Sequence, residues 1–121
     1  MDAISRSRQL VREAFQLPGK WKNIAEAEAL LSEALASDPN NTLTLTCLGT
    51  VLCDEGQYAR AAELLQRAVT LGSSDRNTFF ALAVATMNIS TQEEARPLFA
   101  RAGELQAMAQ SWEAYFDGQA Q

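Results

Sequence analysis

Residues 48–71 read LGTVLCDEGQYARAAELLQRAVTL: two amphipathic helical stretches separated by Asp54-Glu55-Gly56-Gln57. The small residues Gly49, Ala61 and Ala68 stand inside those stretches. A glycine within a helix costs up to about 1 kcal/mol relative to alanine, so something must offset Gly49. A close helix crossing does so, with Gly49 and Ala61 letting two backbones approach. Leu45, Leu48, Gly49 and Leu52 form one helical stripe, and Tyr58, Ala61, Leu64, Leu65 and Ala68 form the facing one. Gly56 is expected to take the positive φ that ends the first helix.

The same pattern recurs along the chain. Ala27, Ala61 and Ala95 are spaced by 34 residues, as are Ala34, Ala68 and Ala102, and Leu31, Leu65 and Phe99. Ile24 corresponds to Tyr58, with Gln92 in the third copy; Leu48 corresponds to Leu82 and Leu45 to Phe79. A fixed period of this size marks stacked helical hairpins, each of which buries its apolar face only against its neighbours.

These columns resemble the tetratricopeptide repeat, a helix–turn–helix unit of this period. The second copy supplies Leu45, Leu48-Gly49, Leu52, Gly56, Tyr58, Ala61, Leu65 and Ala68, and the first ends in SDPNN with Pro39 at the helix-stopping position. The resemblance implies an all-α fold: three repeats, at about 8–41, 42–75 and 76–106, wound into a right-handed superhelix within one domain, 1–121. Beyond them Leu105, Met108, Ala109, Trp112, Tyr115 and Phe116 follow helical spacing, which predicts a capping helix over about 105–117. The first unit departs from the pattern. Either Phe15 occupies a position that favours a small residue, or the helix slides by one and presents Leu10, Ala14 and Leu17. Asn23 with Glu26 forms a candidate capping box, and Pro97 falls early in the sixth helix.

Composition narrows the function. The chain has 121 residues, 47% hydrophobic and 21% charged, with a net charge of -5 and dispersed Lys and Arg. Such a surface does not neutralise phosphates or anionic lipids, so neither nucleic acid nor membrane is an expected partner. Cys47 and Cys53 lie six residues apart on one helix, about 9 Å by helical rise and beyond disulfide reach. Free thiols fit a cytoplasmic location. With no histidine, no phosphate-cradling glycine motif and no metal-ligand spacing, no enzyme activity and no cofactor is expected.

A surface for partners remains. The resemblance implies a concave face lined by the first helix of each unit. Its positions here are Gln9, Arg12 and Gln16; Leu43, Thr46, Cys47, Thr50 and Cys53; and Asn77, Phe80, Ala81, Val84 and Met87. Family members that clamp acidic C-termini use Lys, Asn and Arg there, a set represented only by Arg12 and Asn77. The expected groove is nearly uncharged and partly apolar, suited to a protein or peptide segment with apolar side chains. Short acidic proteins of this kind are similar to bacterial type III secretion chaperones, which hold hydrophobic stretches of translocator proteins. A self-assembling scaffold that stacks through its end helices is the alternative, and either a monomer or a homodimer is compatible with the sequence. If Val84 lines the groove, Val84→Glu is expected to weaken binding and leave the fold intact.

Overall fold

Six helices follow one another in the computed structural model, which describes residues 1–115. They are α1 (Ala3–Gln16), α2 (Asn23–Ser37), α3 (Thr42–Asp54), α4 (Tyr58–Thr70), α5 (Arg76–Ile89) and α6 (Gln92–Glu104), with no strand among the described residues. Short turns pair α1 with α2, α3 with α4, and α5 with α6; α3 also packs on α1 and α5.

Local chemistry sets the helix starts. Asp2, Asn41, Asp75 and Thr91 each accept a backbone N–H from the first turn of α1, α3, α5 and α6. Gly56, at φ 77°, ends α3 as expected. The Gln57 N–H then donates to Leu52 O at 2.8 Å, satisfying a carbonyl that the helix leaves open. The capping box expected at α2 does not form. Lys22 is the N-cap and makes no side-chain cap, while Asn23 Nδ2 donates to Glu13 Oε2 at 3.2 Å. That bond ties the turn back to α1, and Asn23 stands inside the helix rather than at its cap. Pro97 lies inside α6, near its middle rather than early in it as expected.

The hairpin crossing is as close as Gly49 suggests, with one change of partner. Leu65 rather than Ala61 sits against Gly49: an added Cβ would lie 2.6 Å from Leu65 Cδ2 and closer still to its Cγ. Ala61 is fully buried nearby. In the first unit Leu10 and Ala14 are buried while Leu17 is exposed beyond the helix end. The structure thus takes the slid register for its buried positions. Phe15 is left half-buried, its ring edge-on to Trp21 at 5.0 Å.

The central helix, α3, is buried from Thr44 through Asp54, because α2, α4 and α5 pack against it and α1 touches it. Three of its polar side chains find hydrogen bonds inside that packing. Thr46 and Thr78 share a hydroxyl hydrogen bond, Thr50 Oγ1 donates to Thr46 O, and Cys53 Sγ donates to Ala81 O.

Among the described residues the expected capping helix does not form. After Glu104 the chain runs without helix through Tyr115, and Phe116 lies outside the described residues. A short isolated helix is marginal in water, and this segment finds its hydrogen bonds on other helices instead.

Gly49→Ala is expected to destabilise the protein by about 1–3 kcal/mol despite alanine's better helix propensity, because the fully buried Leu65 would have to shift. Chemical denaturation of Gly49→Ala, Leu65→Ala and the double variant checks this. The double variant is expected to lose less than the sum of the two single changes.

Candidate functional site

Two buried aspartates organise the face formed by α1, α3 and α5. Asp54 closes α3 and Asp75 caps α5. A carboxylate in such a place needs donors, and both find them in the segment after α6. Asp75 Oδ1 accepts the Met108 N–H at 3.2 Å as well as the Asn77 N–H at 2.9 Å. Asp54 Oδ1 accepts the Tyr115 N–H at 2.8 Å. Residues 106–115 therefore run across the three helices, starting at the N-terminus of α5 and reaching the C-terminal ends of α3 and α1.

Further contacts fill in between those anchors. The Arg76 N–H donates to Gln106 O at 3.1 Å, and Arg8 donates to Ala109 O at 3.1 Å. Asn77 Nδ2 donates to Ser111 Oγ at 3.0 Å, and that hydroxyl donates to Met108 O. Arg76 pairs with Glu113 at 3.2 Å, an exposed contact of small worth by itself. Trp112, only 6% exposed, joins the core cluster, and Tyr115 stacks on Phe15 with centroids 4.7 Å apart. Beside the segment an open cleft of about 700 Å³ is lined by Arg8, Arg12, Arg76, Asn77 and residues of the segment itself.

The positions anticipated from sequence fall into three groups. Arg12 lines the cleft, Asn77 holds Ser111, and Gln16 is exposed at the end of α1. Thr46, Thr50, Cys53 and Ala81 are buried between α3 and α5, and Cys47 and Val84 are buried with them in the helix packing. Phe80 and Met87 are half-buried, with Phe80 set edge-on to the Phe99 ring at 5.6 Å and beneath the Arg76 guanidinium. The structure does not gather Phe80, Val84 and Met87 against the Thr46–Thr50–Cys53 row as a free apolar channel. Val84 is enclosed, contrary to the exposure expected of it, because α5 is covered by α3, α4 and α6 together.

Sequence reasoning missed Asp54, Asp75, Arg8, Arg76 and Phe15, and it read the Trp112 stripe as helix. Asp54 and Asp75 stand at helix ends where turns and caps account for them, so the only available signal was an acid at the edge of an otherwise apolar helix.

Burial displaces the titration of Cys47 and of Glu55. Burial, reinforced by the Asp75 charge and opposed by Arg8, pushes the Cys47 thiol far above its ordinary range, so it is no ready nucleophile. Burial, with help from Glu28 and against Arg60, raises the Glu55 carboxyl from its ordinary 4.5 to about 7. Its Oε1 atom is buried without a hydrogen-bond partner.

Residues 22–76 match the family model described as tetratricopeptide repeat, a match that spans α2, α3, α4 and the turn into α5. A comparison with curated proteins finds no match. Among the described residues no helix is long and apolar enough to cross a membrane.

Val84→Glu is expected to cost at least about 3 kcal/mol, because it leaves an unpaired charge in the core; thermal melting reads this directly. Glu55 binds a proton more tightly in the folded protein than in the unfolded chain. Its contribution to stability is therefore lost as pH rises from about 4.5 through about 7. Glu55→Gln is expected to flatten that decline when melting temperature is followed across the same interval.

Proposed function

We propose, for a chain of the tetratricopeptide-repeat family, that it is a binding module which holds an extended segment of a partner protein on the α1–α3–α5 face. Repeats of this family generally mediate protein–protein interaction. One observation carries the finer reading: the chain's own residues 106–115 already lie on that face without forming a helix, tied by backbone and side-chain contacts to all three helices. A surface that accepts one such segment has the donors, acceptors and aromatic slot to accept another. Recognition of an extended peptide through its main chain gives affinity, and side-chain pockets give selectivity. A chaperone or adaptor role follows from holding such a segment, with the aromatic slot supplying the apolar anchor.

Stacking through the end of the array is the second reading. Phe80 and Phe99 are half-buried at the α5–α6 end, which no further helix covers among the described residues. Sedimentation across a concentration series separates the two, since only stacking gives a mass that grows with concentration.

The direct test is to select short peptides from a random display library against the full chain and map them by amide chemical shifts. Shifts concentrated in α1, α3 and α5 are the expected outcome. Shifts confined to α2, α4 and α6 would overturn the proposal.

A further inference from the structure

Residues 106–115 are an incompletely satisfied occupant of the face they cover. The Trp112 indole Nε1 and Asn77 Oδ1 are both buried, and neither has a hydrogen-bond partner. A buried polar atom without a partner costs the hold of whatever enclosed it. The charges are unbalanced too. Arg8, Arg12 and Arg76 line one cleft on a chain of net charge -5, and the segment answers them with Glu113 alone. Ala109 and Ala114 line the same cleft, so two positions beside the arginines carry no charge.

Resting on the reading above, we propose that residues 106–115 are a built-in placeholder, and that the partner is an acidic, aromatic-bearing extended segment that displaces them. Such a segment takes over the main-chain anchors at Asp75 and Asp54 and puts an aromatic ring in the Trp112 slot. Its added carboxylates meet Arg8 and Arg12. Because the placeholder is covalently attached, its effective concentration is high, and only a ligand with extra contacts outcompetes it. The arginines supply those contacts, as charge-assisted bonds to carboxylates where the placeholder offers only the Ala109 carbonyl and Glu113.

The chain reports its own displacement. It has two tryptophans, Trp21 at 54% exposure and Trp112 at 6%, so in a Trp21→Phe background emission reads whether Trp112 is covered. The probe is a synthetic peptide with the sequence of residues 106–115 carrying Trp112→Phe, Ala109→Glu and Ala114→Glu. The control carries Lys at the two alanine positions. The acidic peptide is expected to shift Trp112 emission to the red and to bind at least about tenfold tighter than the control. Added salt and Arg12→Ala in the chain should both narrow that gap. Glu113→Arg with Tyr115→Ala alters two exposed side chains that hold the placeholder, and is expected to tighten binding of the acidic peptide.

Equal binding of the acidic and lysine peptides would overturn the acidic specificity. Saturable binding with no change in Trp112 emission would overturn displacement; shifts in α1, α3 and α5 would then leave the peptide-binding face standing. No binding of the acidic peptide by the wild type or the loosened variant would overturn the proposal. Display-selected peptides on the same face would in that case keep the broader reading alive. A loosened variant that dimerises would show that the occupant is a second copy's residues 106–115, and would overturn a separate partner.

Discussion

The closeness of α3 to α4 is the constraint from which the rest of the molecule follows. With hydrogen in place of a methyl group at Gly49, the Leu65 side chain settles against the α3 backbone, and the second hairpin closes tightly. That closure makes α3 a helix with no solvent-facing side, enclosed along almost its whole length. Polar residues on such a helix must find partners in neighbouring elements. Thr46 finds Thr78 of α5, Thr50 turns back to the Thr46 carbonyl, and Asp54 finds the segment after α6. Tight packing of one hairpin therefore dictates where the last described residues of the chain go.

The face that segment covers is not the uncharged, partly apolar channel expected from the sequence. It combines two buried carboxylates that accept main-chain N–H groups with guanidinium groups that reach carbonyl and carboxylate oxygens. Arrangements of that type fix the direction and register of an extended chain and leave one aromatic slot to discriminate among sequences.

Much of the fold was legible because repetition multiplies weak signals. One glycine in one helix says little; Ala27, Ala61 and Ala95 in register with Ala34, Ala68 and Ala102 say that three hairpins stack. The site was less legible for two physical reasons. Periodicity identifies the face of a helix that is apolar, yet α3 and α5 are covered on several sides, so Val84, Thr46 and Thr50 read as a stripe and pack as interior. Residues 105–115 carry a helical spacing of apolar groups, but Asp54 and Asp75 offer their amides better acceptors than a solitary terminal helix would. That preference depends on residues more than thirty positions away and leaves no local trace.

The sulfhydryl of Cys53 gives the packing of α3 on α5 a chemical timepiece. Its hydrogen bond to the Ala81 carbonyl lies at the junction of the two helices, and Cys47 is enclosed six residues earlier on α3. No alkylating reagent reaches either sulfur until those helices part, so the pace of thiol labelling in native buffer counts the openings of the molecule's centre. Two unmodified cysteines thereby turn the least accessible part of this protein into the part whose breathing is easiest to time.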